Sequence, residues 1–209
     1  MPKSRTKATF SNTSPRGYLS WSQLNLWEKD PNMYYQVYWE GLDQFRTKYL
    51  ELGKRMATTL ENGFDEAHDP LFEMLAVFMP HYPKQEFDLK TVFEGIPLVG
   101  KLDGFNEATL TIGEYKTGKN WTQSMVNQSG QLTFYSLLVW LKYKKLPNNI
   151  FLHWARTDED MEGNLKLTGD IRTFPTQRSL KDLILFSKRI KAAWLGICEL
   201  GKFLKDKNL

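Results

Sequence analysis

Apolar residues recur along this chain with two different periods, and the changes of period divide it into helices and strands. Residues 19–35 read Leu-Ser-Trp-Ser-Gln-Leu-Asn-Leu-Trp-Glu-Lys-Asp-Pro-Asn-Met-Tyr-Tyr. Ser20 or Ser22 can cap a short helix there, and the helix must end before Pro31. A second short helix, about 31–39, carries Met33, Tyr34, Tyr38 and Trp39. A longer one spans 44–62, with Phe45, Leu52, Met56 and Leu60 on one face and Gly63 just past its end. After a polar loop over 63–70, a short apolar helix runs up to Pro80.

From Lys84 the period falls to two. Phe87, Leu89 and Thr91 alternate with Glu86, Asp88 and Lys90 over a strand at 84–93. Glu94-Gly95 turns the chain into a second strand, 96–105, and the loop Asn106-Glu107-Ala108 leads to a third, 109–116. Helical spacing returns over 122–143. Asn148-Asn149 opens a strand at 150–156, and an acidic loop (157–163) leads to a last strand, 165–174, which Pro175 ends. The final helix, 177–203, carries the stripe Leu180, Leu183, Ile184, Ile190, Trp194 and Ile197. This order predicts a single α/β domain: a central mixed sheet, made of a three-strand antiparallel meander plus two later strands, flanked by helices. The helix after the third strand predicts a crossover, with the later strands parallel to that strand.

The 209 residues suffice for one domain with a real core. Hydrophobic residues make up 41% and charged residues 25%, an ordinary globular balance. Residues 1–18 are small, polar and basic and read as a disordered tail, which leaves 19–209 as the domain. No apolar run approaches the ~20 residues of a membrane span, and the basic N-terminus lacks an apolar signal core. A cytosolic (cytoplasmic) protein without a membrane partner is therefore expected. The single cysteine, Cys198, excludes an internal disulfide and any all-cysteine metal or iron–sulfur site. The net charge of +4 is unevenly spread. Residues 1–16 hold Lys3, Arg5, Lys7 and Arg16 and no acid, and 181–209 hold seven basic and three acidic side chains. Residues 57–115 hold eleven acids against three lysines. Basic ends around an acidic middle suit a protein that attracts a polyanion yet keeps carboxylates for cations. They equally suit a solvated tail and helix face.

The chemistry concentrates between Gly100 and Tyr135. Alternation over 109–116 sends Leu110, Ile112, Glu114 and Lys116 one way and Thr111, Gly113 and Tyr115 the other. Glu114 and Lys116 are then neighbours about 6.5–7 Å apart along the strand. Asp103 joins their face if Phe105 pairs with Leu110, and leaves it if the register slips by one residue. Two carboxylates beside an amine make a hard-cation site: Asp103 and Glu114 can hold Mg²⁺ through oxygen, and Lys116 can stabilise charge on a phosphate. Gln131 and Tyr135, at i and i+4, share a face of the following helix, and Gln128 extends that polar stripe. Taken singly, each of these residues also fits a solvated strand face or a surface salt bridge.

Together they resemble the PD-(D/E)XK nuclease superfamily, in its RecB-like exonuclease branch. The matching residues are Asp103, then Glu114-Tyr115-Lys116-Thr117-Gly118, then Gln131 with Tyr135. Ser20-Trp21-Ser22-Gln23-Leu24, Asp30-Pro31, Tyr34, Leu52-Gly53 and Leu60-Glu61 extend the likeness over residues 19–140. The resemblance implies a restriction-endonuclease-like fold. It implies hydrolysis of DNA phosphodiesters with Mg²⁺ or Mn²⁺, often by an exonuclease in recombination, repair or phage replication. A recombination or replication protein is an expected partner alongside DNA. The implied metal ligands are Asp103, Glu114 and the Tyr115 backbone carbonyl. Lys116, Gln131 and Tyr135 complete the catalytic set, and Ser22, Lys119, Gln128, Gln131 and Tyr135 are the implied nucleic-acid contacts. Two features depart from the pattern. Asp30 replaces the opening cysteine, so no iron–sulfur cluster is expected. Ala57 replaces a histidine that ligates metal in many relatives. Either Glu61 or Glu86 fills that place, or the protein is a catalytically degenerate nuclease fold that binds nucleic acid without cleaving it.

Other readings compete. Gly113 to Asn120 nearly matches a phosphate-binding loop, but Asn120 stands where a hydroxyl must reach Mg²⁺. His68 reads as a loop residue, His81 as structural and His153 as a core histidine. Trp21, Trp27, Tyr34, Tyr35, Tyr38 and Trp39 could stack on unpaired bases, although their spacing reads first as core. Lys188, Arg189, Lys191, Lys202 and Lys205 could contact phosphates or simply be solvated.

Overall fold

Five strands form one mixed sheet in sequence order, in a computed structural model that describes residues 13–43 and 47–207. β1 (Lys84–Phe93), β2 (Ile96–Asn106) and β3 (Thr111–Gly118) make the antiparallel meander. β4 (Asn149–Glu159) pairs parallel with β3, and β5 (Leu165–Thr176) pairs antiparallel with β4. The single α/β domain with a five-strand mixed sheet and flanking helices is as the periodicity predicts, and β4 runs parallel to β3; β5, also expected parallel to β3, instead runs opposite to it, because it returns from β4 as a hairpin. Gly113 to Gly118 lie within β3 and pair residue for residue with Phe151 to Arg156 of β4, so this stretch is no phosphate-binding loop.

The helices begin where side chains can cap them. Ser20 accepts from the Gln23 amide at the start of α1 (Trp21–Lys29), and Asp30 from Met33 at the start of α2 (Pro31–Tyr38). Thr47 accepts from Leu50 at the start of α3 (Lys48–Asn62), and Gly63 ends that helix with φ of 78°. Phe45, expected on this helix, lies outside the described residues. α4 (Pro70–Phe78) follows. The helix expected over 122–143 is broken in two: α5 (Gln123–Asn127) and α6 (Gly130–Tyr143), with Ser129 capping the second. α7 (Leu180–Asp206) opens with a reciprocal capping box between Ser179 and Asp182.

Two apolar layers cover the sheet. On one face, Leu102, Phe105, Ile112, Leu152 and Trp154 pack with Leu138 of α6 and Ile190 and Trp194 of α7. On the other, Tyr115, Ala155 and Leu167 pack with Met56 and Leu60 of α3 and Phe72 of α4. Tyr34 is buried within the first layer against Trp27 and Tyr38, so these aromatics serve packing first. The stripe expected on α7 is partly wrong: Leu180 and Ile184 are exposed, and Phe186, Ala193 and Cys198 take their place inside. The end of the stretch expected to be a tail, and Leu19 after it, make contacts with the domain. Thr13 donates through its hydroxyl to the Cys198 carbonyl at 2.7 Å, Arg16 lies over the Tyr38 ring, and Leu19 bridges to Leu98. Residues 1–12 lie outside the described residues.

The β2–β3 register differs from the expected one. Phe105 pairs with Ile112 rather than Leu110, because the four-residue loop comprises residues 107–110 instead of 106–109. Local bonds set this loop: the Thr109 amide donates to Asn106, and Leu110 takes a left-handed φ of 48°. Pairing then stops early, at Gly104↔Gly113. The reason lies above those glycines. A Cβ on Gly104 or Gly113 would meet the Tyr82 ring at 2.3 or 2.2 Å. The ring therefore lies across bare backbone, as aromatic side chains do when they cover strand glycines. Its hydroxyl bonds to His153 Nε2 at 2.8 Å, and His153 Nδ1 bonds to Thr173 at 2.8 Å. His153 is thus a satisfied core histidine, and burial lowers its pKa to about 4.

This close approach makes a stability contrast. Gly113→Ala, with Tyr82 anchored and unable to retreat, should destabilise by about 3 kcal/mol in urea unfolding. Gly53→Ala, in the helical run of α3 with only Thr117 Oγ1 at 3.9 Å, should instead stabilise by about 0.5–1 kcal/mol. Equal and small effects at both positions would remove the packing role assigned to Tyr82.

Candidate active site

Beyond the rung Gly104↔Gly113 the strands β2 and β3 part, and their facing backbone groups need other partners. The Tyr115 amide donates to Asp103 Oδ2 at 2.9 Å. The Lys101 carbonyl accepts from the Tyr135 hydroxyl at 2.7 Å. Further out, Leu19 donates to the Pro97 carbonyl and accepts from Val99. The fork is thus held open by side chains and by a short parallel bridge. Gly100 lets α6 come close enough for this: a Cβ there would meet Leu138 at 2.4 Å and Tyr135 at 3.1 Å.

Asp103 and Glu114 stand across the fork, one step past the last rung. Strand alternation does not place Asp103 on the Glu114 face, as had been expected. Leu102 and Phe105 both point into the α6 layer, so the alternation breaks between them, and Asp103 reaches sideways to β3. Glu86 of β1 flanks Asp103 on the other side, between the rungs Gln85↔Gly104 and Phe87↔Leu102, with a left-handed φ of 47°. Three carboxylates therefore succeed one another across β1, β2 and β3.

Glu114 is only 1% exposed. Its Oε1 meets the Lys116 ammonium, and its Oε2 is buried with no hydrogen-bond partner. An unpartnered buried carboxylate oxygen is costly. Burial pushes the Glu114 carboxyl up to about 8 against the pull of Lys116. Asp103 also shifts upward, through burial, against Lys116 and the Tyr115 amide. For Lys116 burial acts downward, but Glu114 and Asp103 outweigh it, and the amine stays protonated. Burial, then Glu114, raises the Tyr135 phenol, which therefore keeps its proton. The buried Glu114 oxygen, Asp103 and the Tyr115 carbonyl are hard oxygen donors of the kind Mg²⁺ or Mn²⁺ takes. Among the described residues no three carboxylate, histidine or cysteine side chains converge as a ready-made cage. Glu86 instead turns to Lys101.

The other expected site residues are only partly brought together. Tyr135 and Gln131 lie at the fork, but Gln131 Nε2 donates to the Tyr135 hydroxyl at 3.0 Å, so both brace the site from within. Gln128 is not on their stripe. The helix breaks there, and its amide donates to Ser124. Ser22 is exposed on α1, next to Trp21, whose ring covers Gly130. Lys119 lies past β3 and pairs with Glu159 at 3.6 Å. Ala57 lines the cleft above Asp103, whereas Glu61 is exposed and outside the cleft lining. His68 pairs with Glu73, and His81 bonds to the Ala76 carbonyl. Arg189 and Lys191 pair with Glu28 and Glu94.

A cleft of about 750 Å³ opens over Asp103, Tyr115, Lys116 and Thr117, with α3 as its opposite wall. Sequence reasoning missed this wall, because Tyr49, Leu50 and Lys54 lie off the apolar stripe that orients the helix. It also missed Arg178. This buried guanidinium donates to Thr133, Thr176 and the carbonyls of Gln177, Val126 and Ser129. It thereby fixes the α5–α6 break and the start of α6. Nothing in the periodicity marks an arginine as buried, and the only signal is its place between Pro175 and the capping Ser179.

The Glu114 shift has a pH consequence. The folded protein holds this proton up to about 8, the unfolded chain only to about 4.5. Between those values the folded state binds more protons, so the metal-free protein should lose stability as pH rises through that window. A divalent cation opposes the shift. Mg²⁺ should therefore raise the melting temperature more at pH 8 than at pH 5.5, and Glu114→Gln should abolish that difference. An equal Mg²⁺ effect at both pH values would contradict the site.

No family model and no curated protein sequence matches the chain. Solved structures share its fold. A proposed exonuclease from Eubacterium rectale is 12% identical, with a TM-score of 0.62 over 97% of this chain and 88% of that one. A phage-related exonuclease from Haemophilus somnus 129PT is 13% identical, with a TM-score of 0.52 over 81% of this chain and 79% of that one. At these identities the likeness is one of fold, and the chain is similar in its whole architecture to two proteins described as exonucleases.

Proposed function

We propose that this protein is a divalent-metal-dependent DNA nuclease, acting as an exonuclease of the PD-(D/E)XK type. The observation that carries the reading is the Glu114 carboxylate. It is buried, has one oxygen on Lys116 and the other without a partner, and stands across an opened strand pair from Asp103. A merely structural ion pair has no need of that second, unsatisfied oxygen. The fold shared with two proteins described as exonucleases agrees with it.

Asp103, Glu114 and the Tyr115 carbonyl are the ligands, with Glu86 the nearer candidate to supplement them. Glu61 is the weaker choice, because it is exposed and outside the cleft lining, whereas Glu86 flanks Asp103 in the sheet. The bound ion would lower the pKa of a water and polarise a phosphoryl oxygen. Lys116, held protonated, donates to the phosphate as negative charge builds on it. Tyr135 and Gln131 fix the Lys101 backbone and so the shape of the fork. A place in recombination, repair or phage replication, with a protein partner from those processes, follows from the family resemblance. A catalytically silent DNA-binding protein is the alternative, favoured by Ala57 standing where many relatives have a ligand.

Digestion of linear DNA separates the two. The wild type should degrade it with Mg²⁺ and not with EDTA, and Lys116→Ala should be slower by about 10²–10³-fold. DNA binding without cleavage in the wild type would establish the silent alternative, and cleavage undiminished in Lys116→Ala would reject the assigned site.

A further inference from the structure

We propose that β1 is the docking edge for a second copy of this chain, the two β1 strands pairing antiparallel about Leu89. The inference is independent of the nuclease reading and adds a partner to the fold. Its first support is a bare edge. β1 is the outermost strand on its side of the sheet. Half the backbone N–H and C=O groups of such a strand point away from its neighbour. Between Phe87 and Thr91 none of those outward groups finds a partner among the described residues. The opposite edge, β5, is blunted in ways that keep strands apart. It carries Pro175, a left-handed Gly169 and a register shift against β4. From Phe87 to Phe93, β1 has neither a proline nor a shift, and its pairing with β2 is continuous.

The second support is charge. Leu89 points into the α6 layer, and Asp88 and Lys90 are exposed on the other face of β1. Neither makes an ion pair among the described residues, since the Lys101 ammonium opposite Asp88 is taken by Glu86. A two-fold axis perpendicular to the sheet pairs residues that point to the same face, so partners differ by an even number of positions. Centred on Leu89, it sets Asp88 of each copy opposite Lys90 of the other. Centred one residue earlier, it sets Asp88 against Asp88; one residue later, Lys90 against Lys90. Only the first of these registers avoids a like-charge pair. A lysine alone on an edge repels a second strand. The aspartate two residues before it reverses that effect in this one register.

The third support is what the pairing covers. Val92 is 59% exposed on the same face as Asp88 and Lys90. In this register it stands opposite Glu86 of the other copy, the carboxylate that flanks Asp103. The left-handed φ of 47° at Glu86 ends the regular strand there, so the pairing is centred on residues 87–91. The same axis leaves the two α3 clefts on one side of the joined sheet.

Sedimentation velocity on the full chain tests this. The wild type should form dimers at concentrations up to about 100 μM. Asp88→Lys and Lys90→Asp each turn both symmetry-related pairs into like charges, and each should weaken dimerisation about tenfold or more. An equimolar mixture of the two variants makes both pairs opposite again, and should dimerise within about threefold of the wild type. A wild type that stays monomeric, single variants that dimerise as well as the wild type, or a mixture no better than its components would each overturn the proposal.

Discussion

The hydrogen bond from the Tyr115 amide to the Asp103 carboxylate is the contact on which the rest of the site depends. In a continuous β-ladder the Tyr115 amide would donate to a backbone carbonyl of β2. Here a side-chain oxygen takes it, and the two strands separate while their polar groups stay satisfied. The gap admits the Tyr135 hydroxyl to the Lys101 carbonyl and leaves Glu114 buried but facing Asp103. Tyr82 marks where the ladder ends, because its ring covers the last glycine pair and is itself anchored by His153. A regular sheet would have paired these strands to their ends and left no room between the carboxylates.

The two faces of the sheet contribute differently. The α6 layer encloses Glu114 and supplies the braces Tyr135 and Gln131. The start of α6 is in turn set by Arg178, whose hydrogen bonds go to neutral acceptors there. The α3 layer supplies the open wall of the cleft. Its orientation is fixed by the bidentate pair of Arg55 with buried Asp65, whose carboxyl the guanidinium holds down at about 2. The Glu114 side is desolvated, and the α3 side is accessible and largely apolar.

Much of this was legible in the chain. Strand positions followed from two-residue alternation, and the helix limits from capping residues such as Thr47 and Ser179. Glu114 and Lys116 share a strand face by simple periodicity, and the Gln131–Tyr135 pair by helical spacing. What periodicity could not give was the register of the β2–β3 hairpin, which depends on a left-handed Leu110 and an Asn106 side-chain bond. Nor could it give the break in alternation at Gly104–Phe105. Asp103 reaches its partner sideways for that reason, not by the face rule. The α5–α6 break was hidden because Gln128 continues a polar stripe that the Ser129 cap interrupts. Tyr49 and Leu50 were missed because an exposed apolar residue is ordinary in a sequence. They became informative only when they proved to line a cleft together with Asp103 and Lys116.

Anomalous diffraction from a crystal soaked in Mn²⁺ tests the central claim most directly. A single strong peak in the fork, ligated by Glu114 Oε2, Asp103 and the Tyr115 carbonyl, and absent in Glu114→Gln, is the predicted result. A fork without metal at millimolar Mn²⁺, or a peak elsewhere that survives Glu114→Gln, would contradict it.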